Sequence, residues 1–199
     1  MSVLLNSVVT WVGWRLWTDG HFTVTTSLGS RSIVDGVVMM IVLDLAMYLS
    51  HRLAHSRVLY PLVHLLHHRY LEPRPLSLFA LHPIEALGFG GGWIAFAWVA
   101  SAIGYPLSGA GIALFTACNL VFGTLGHGGV EPLADRVRSG RVFTVLATPS
   151  FHHGHHRDPS RNLGFFTTIW DRAFATIDPE YDHDRRSPFE SRMTADLRR

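Results

Sequence analysis

At 199 residues the chain is long enough for one domain and too short for two comfortable ones. It is 48% hydrophobic and 16% charged, against about a quarter charged in ordinary soluble domains, so the balance argues against a soluble protein and for one in a membrane. A net charge of +2 gives no basic field for nucleic acid, and none is expected as a partner.

The first apolar stretch, Val3 to Trp17, is interrupted by Asn6 and holds Arg15 near its end. It reads as a fourth span or as an interfacial helix, and Trp11, Trp14 and Trp17 suit a membrane interface. It has no basic leader and no clear cleavage site, so it is expected to be retained. A span is expected from about Ile33 to Leu49, with Asp44 in its C-terminal half. From Ala86 to Val130 there is no Asp, Glu, Lys or Arg. That window holds two more spans, about 86–103 and about 107–125, with Gly104-Tyr105-Pro106 as the turn. Such a hairpin returns to the side it left, which puts His82 and Glu85 on the same side as His127.

All 17 basic residues are Arg, a usage that fits anionic lipid head groups or simply a GC-rich genome. The hairpin turn is uncharged, whereas 51–85 carries Arg52, Arg57, Arg69 and Arg74, and 131–199 holds most of the others. The positive-inside tendency assigns both segments to the cytoplasm, and the expected location is a bacterial inner membrane. Residues 1–177 read as a single membrane domain. Residues 178–199 read as a polar, Arg-rich, loosely packed tail. Cys118 is the only cysteine, which excludes an internal disulfide and a thiolate cluster.

Nine of the 13 histidines fall into three clusters: His51 and His55; His64, His67 and His68; His152, His153, His155 and His156. Neutral imidazole is the commonest metal ligand. Asp44, Tyr48, His51 and His55 are spaced +4, +3 and +4, one stripe of a helix. Asp44 is placed either to accept a hydrogen bond from a ligand's second ring nitrogen or to pair with Tyr48 in helix packing. His64, His67 and His68 read as a single-face set on a helix that Pro61 opens, and His152, His155 and His156 repeat the pattern. Six to nine imidazoles exceed the needs of one tetrahedral zinc and suit two adjacent ions; imidazole accommodates iron, zinc or copper. His127 ends a span between glycines and is expected to be a ligand. His153 breaks its cluster's spacing. His21 and His183 read as surface residues.

The ordered set resembles the fatty acid hydroxylase superfamily, which includes sterol desaturases and C4-methyl sterol oxidases. The resemblance covers about Asp44 to Thr176. Asp44-x-x-x-Tyr48-x-x-His51-Arg52-x-x-His55 matches the first box, and His64-x-x-His67-His68 the second. His82-Pro83-x-Glu85 resembles the segment that opens the membrane hairpin. Thr148-Pro149 before His152-x-x-His155-His156 resembles the last box. Asn162-x-Gly164 and Trp170-Asp171-Arg172-x-Phe174-x-Thr176 resemble the closing signature. The resemblance implies an all-α bundle of about four membrane helices under a cytosolic histidine-rich cap. It also implies two iron ions, with zinc as a possible substitute, that activate O2 to hydroxylate or desaturate a lipid drawn from the bilayer. Two electrons would come from a donor such as a ferredoxin or a cytochrome b5-type reductase system.

By matching position, the implied ligands are His51, His55, His64, His67, His68, His127, His152, His155 and His156. Asp44 and Tyr48 would support them from behind. His82, His153, Glu131 and Asn162 are further candidates for ligation or support. Glu131 stands where some members have a histidine and is either a carboxylate ligand or an exposed residue. Phe89, Trp93, Phe96 and Trp98 are candidates to line a lipid pocket, or else core. Arg52 and Arg69, next to ligand positions, face either a lipid phosphate or electron donor, or solvent. The rival readings are a redox-inactive zinc-binding membrane protein or metal transporter; a metal-dependent lipid hydrolase, although neither H-E-x-x-H nor G-x-S-x-G occurs; and a b-type haem protein, which needs only one or two axial histidines and leaves most of the clusters unexplained.

Overall fold

The computed structural model describes residues 2–129, Glu131 and 145–184. Among these residues the fold is all-helical, with two isolated β-bridges and no strand. The long helices are α1 (Ser2–Thr18), α2 (Ser30–Ala54), α4 (Pro83–Ala102) and α5 (Gly109–Gly126). Between α2 and α4 come a π-helical turn at Tyr60–His64, the short α3 (Leu65–His68) and a 3-10 turn at Pro75–Phe79. The C-terminal part folds as α6 (Pro149–Arg157), α7 (Ile169–Ala173) and α8 (Pro179–Asp184).

Among the described residues three helices, α2, α4 and α5, are long and apolar enough to cross a membrane. Their outward faces present Ile33, Val37, Ile41, Leu87, Trp98, Leu120 and Val121 to the surroundings. An exposed apolar belt of this kind is stable against lipid and not against water. α1 is shorter: 17 residues make about 25 Å at 1.5 Å per residue. It lies against α4, with Gly90 beneath Val9 and Gly13 beneath the Trp93 ring. Trp11, Trp14 and Trp17 remain exposed.

The expected hairpin turn is present, and Gly104 takes a φ of 81° that most side chains avoid. Asp35 of α2, fully buried, accepts from the Ser108 N–H (2.7 Å) and the Tyr105 hydroxyl (2.9 Å). Ser108 in turn caps α5 through the Gly111 N–H (3.0 Å). One carboxylate thus fastens the α4–α5 turn to the start of α2. At the opposite end lie the C-termini of α2 and α5 and the N-terminus of α4, and there the histidines gather.

The C-terminal part closes over that end. Phe166 inserts among the long helices and packs edge-on against Phe115 and Phe122, inside a core of Met39, Leu43, Ala97, Ala100 and Leu107. The backbone of Ala147 donates to the Phe166 carbonyl at 3.0 Å. Part of the expected loose tail is built in: Tyr181 of α8 is buried edge-on against Phe151 and reaches Thr148 at 3.1 Å. Residues 185–199 of that tail lie outside the described residues, as does the side chain of His183.

Candidate metal centre

The last turn of α2 carries His51 and its C-cap His55; α3 and the turn before it carry His64, His67 and His68. His127 caps the C-terminus of α5, and α6 carries His152, His155 and His156. All nine predicted ligands fall into two groups. His51, His55, His64, His68 and His155 form centre A; His67, His127, His152 and His156 form centre B. In each group one ligand atom per residue lies within 4.8 Å of all the others. In centre A the Nε2 atoms form a closed circuit, His51–His64–His68–His155–His55, with steps of 3.0 to 3.2 Å. In centre B, His152 Nε2 lies 3.1 Å from those of His127 and His156. The centres abut: the His68 and His156 rings stack at 4.7 Å.

The single-face reading of the H-x-x-H-H boxes is corrected by this arrangement. In each box the outer pair, four residues apart, shares a face, and the middle histidine points about 100° away. His64 and His68 go to centre A while His67 goes to centre B; His152 and His156 go to centre B while His155 goes to centre A. Each box therefore serves both centres, in opposite proportions.

Three rings of centre A have their protons located by acceptors. His51 Nδ1–H donates to the Leu163 carbonyl and His155 Nδ1–H to the Arg161 carbonyl, both at 2.8 Å. His64 Nδ1–H donates to the Glu85 carboxylate. A carbonyl or carboxylate only accepts, so Nε2 in each neutral ring bears a bare lone pair. His51 and His64 then face each other lone pair to lone pair at 3.0 Å. Such a contact repels unless a cation lies between. Protonation is resisted: burial, then neighbouring imidazoles, hold His67, His152 and His155 well below the usual histidine range. Burial lowers His55 and His127, and pushes His68 to about 2 and His156 to about 4. Neutral imidazole is the ligating form. With metal–nitrogen bonds of about 2.0–2.1 Å, adjacent ligands stand about 2.9 Å apart at right angles and about 3.4 Å at tetrahedral angles. The observed 3.0–3.2 Å lies between. The donor set fits bound metal ions.

The stripe Asp44–Tyr48–His51 faces the 163–176 segment, and its first member does something other than expected. Asp44 binds no imidazole. Its carboxylate accepts from the Phe166 N–H (2.9 Å), the Thr167 hydroxyl (2.6 Å) and the Trp170 indole N–H (3.0 Å). Tyr48 stacks on Phe174 and meets Thr176 Oγ1 at 2.9 Å. Both residues anchor the strap whose Leu163 carbonyl orients His51. Asp171, which the sequence reading left within the closing signature, holds the strap from inside. It accepts from the Leu163 and Gly164 N–H groups, each at 2.7 Å, and burial raises its carboxyl above the usual range.

The four further candidates sit outside both groups. Asn162, buried in a left-handed backbone (φ 54°), donates to the Phe151 carbonyl of α6 and accepts from the Asp178 N–H. His82 caps α4 by accepting from the Ile84 N–H at 3.3 Å. Glu131 accepts from the Ser150 hydroxyl at 3.0 Å. His153 is half-buried on α6, and burial lowers its pKa from the usual histidine value. Glu85, read along the chain only as part of the segment that opens the hairpin, lies buried against His64; its place three residues after the His82 cap was the available signal.

A cavity of about 660 Å³ runs from the two centres into the helix bundle. His51, His64, His67, His127 and His152 form its histidine end. Its walls are apolar, from Val9 of α1, Leu43 and Met47 of α2, Phe89 and Trp93 of α4, and Phe115 of α5. Of the four suggested lining residues, Phe89 and Trp93 line this cavity, and Trp93 also packs against the core. Phe96 packs on the core, and Trp98 is exposed on the outer face.

Together the apolar belt and the paired imidazole groups define a membrane protein with a histidine-built metal site at one end of its helix bundle. The fatty acid hydroxylase family description matches residues 36–176, and the chain belongs to that family. It is 31% identical over 130 residues to a Delta(7)-sterol 5(6)-desaturase of Leptosphaeria maculans, covering 65% of this chain and 33% of that protein. It is 27% identical to methylsterol monooxygenase 1 of Gallus gallus, over 65% of this chain and 41% of that one. With ornithine lipid hydroxylase OlsE of Rhizobium tropici it shares 26% identity, over 71% and 41% respectively. The chain thus spans well under two thirds of the length of these relatives. No solved structure matches.

Proposed function

We propose that the protein is an O2-dependent oxidoreductase that hydroxylates or desaturates a lipid taken from the bilayer. The observation that carries this reading is the meeting of two abutting imidazole centres with one apolar cavity. Named activities of the relatives, sterol desaturation, methylsterol monooxygenation and ornithine lipid hydroxylation, support a lipid substrate. Two iron ions, held by the nine histidines, would supply O2 activation and oxidation of an unactivated C–H bond.

The chain's own part is positional. The Leu163, Arg161 and Gly123 carbonyls and the Glu85 carboxylate fix four imidazoles through Nδ1, leaving Nε2 of each free to hold a metal ion. The cavity walls hold an acyl chain or ring system and keep water from the site. Five imidazoles in centre A exceed the four ligands of a structural zinc, which favours iron over the redox-inactive alternative. The arginine distribution supports a cytoplasmic histidine end. Electrons would come from a ferredoxin or a cytochrome b5-type reductase system.

The test combines iron-loaded protein, a cellular lipid extract, O2 and a reductase system. Mass spectrometry is expected to show a lipid that gains one oxygen atom or loses two hydrogens. Lipid cleavage without reductant would instead make the protein a hydrolase. Zinc content with no O2 consumption would make it a non-redox metal protein.

A further inference from the structure

Three of the four cluster imidazoles with an acceptor at Nδ1 are held by neutral backbone carbonyls. His64 is held by the carboxylate of Glu85. Glu85 is only 6% exposed, and its other oxygen takes the His82 N–H at 3.3 Å. It lies in the first turn of α4, where the helix dipole favours negative charge. No other carboxylate forms an ion pair with a cluster histidine among the described residues.

We infer that Glu85 is a positioning residue that makes His64 an unusually strong donor and gives centre A a tighter hold on its metal than centre B. A carboxylate that accepts an imidazole N–H shifts electron density onto the ring and raises the basicity of the opposite nitrogen. A carbonyl dipole does so less, because it carries no net charge. The effect is local: His64 belongs to centre A, and the Nδ1 partner seen in centre B is the Gly123 carbonyl beside His127. Glu85 also closes the capping box of α4, so one side chain ties the His64 ring to the helix whose Phe89 and Trp93 line the cavity.

The inference rests on the two-ion reading of the histidine groups, and its test separates the two. The full chain, in detergent and stripped of metal, is titrated with Co2+ against a competing chelator and followed by cobalt d–d absorption. The native protein is expected to take up two ions of unequal affinity; failure to bind two overturns the two-ion reading itself. Glu85→Gln keeps an acceptor oxygen and removes the charge. It is expected to weaken the tighter ion by about 10–100-fold and leave the weaker within about twofold. Retention of that second ion reports that the variant is folded. Glu85→Asp, which keeps the charge, is expected to lose less affinity than Glu85→Gln. Equal weakening of both ions, no weakening of either, or an Asp variant as impaired as the Gln variant overturns the inference. If Glu85→Gln does not fold, the same comparison is made with Glu85→Ala with and without formate, which is expected to restore the tighter site; no restoration overturns it.

Discussion

His51 and His64 face each other Nε2 to Nε2 at 3.0 Å, with the proton of each ring turned outward to Leu163 and Glu85. With both rings neutral, neither donates across that gap, and a cation bound between them would satisfy both lone pairs. Stripping the protein with a strong chelator should therefore destabilise it. Ligand at 1,000 times its Kd is worth about 4 kcal/mol, or roughly 10 °C in Tm for a chain of this size. Thermal scans in detergent should show a drop of that order, reversed when metal is returned. An unchanged Tm would count against the site.

The two centres should be separable by mutation. His155→Ala removes a ligand from centre A, and His152→Ala removes one from centre B. Each should lower bound metal from two ions to one by elemental analysis. Turnover should fall beyond the roughly 100-fold that loss of a ligand's outer partner costs. If either single change empties both sites, they are not independent.

Acid should release the metal. Burial pushes His156 to about 4 and His68 to about 2, from an ordinary value of 6.5. The unfolded chain takes up these protons near pH 6.5, and the native rings do not. The stability held by these groups is complete above about 6.5 and is lost as pH falls toward 4. Tm and bound metal, followed from pH 8 to 4, should fall together over that window. A Tm that rises on acidification would contradict the assignment.

Asp44 should prove structural. Asp44→Ala leaves the Phe166 N–H, the Thr167 hydroxyl and the Trp170 N–H without their acceptor. A stranded buried group such as the Phe166 N–H costs about 1–3 kcal/mol, and the part-buried Thr167 and Trp170 donors cost less. A loss of about 2–4 kcal/mol is expected in denaturant titrations, whereas Trp170→Phe removes one bond and should cost only about 1 kcal/mol. Spectra of bound Co2+ should change little in Trp170→Phe.

Gly88 lines the cavity, and a Cβ added there meets no atom within 4 Å. Gly88→Phe should fold, bind two metal ions and fill much of the space a lipid needs. Turnover should fall at least tenfold with metal content unchanged, an order of magnitude typical of lost pocket contacts. Undiminished turnover would place the lipid elsewhere.

Much of this was legible along the chain. Long runs without charge marked α2, α4 and α5, because a membrane core tolerates little else. The +3 and +4 spacings marked the histidines, because helical geometry stacks such residues. The role of Asp44 was not legible. Its partners lie more than 120 positions away, and no local spacing reports a contact of that range. The tie of Glu85 to His64 was not legible for the same reason: it joins two separate elements of the fold.

Sequence alone determined which imidazoles are available and that they gather at one end of a membrane bundle, since both follow from local period and local polarity. Tertiary structure decided how they are shared. Within each H-x-x-H-H box the 100° step between neighbours sends one ring away from its pair, and only the meeting of the two boxes' rings in space decides which centre receives it.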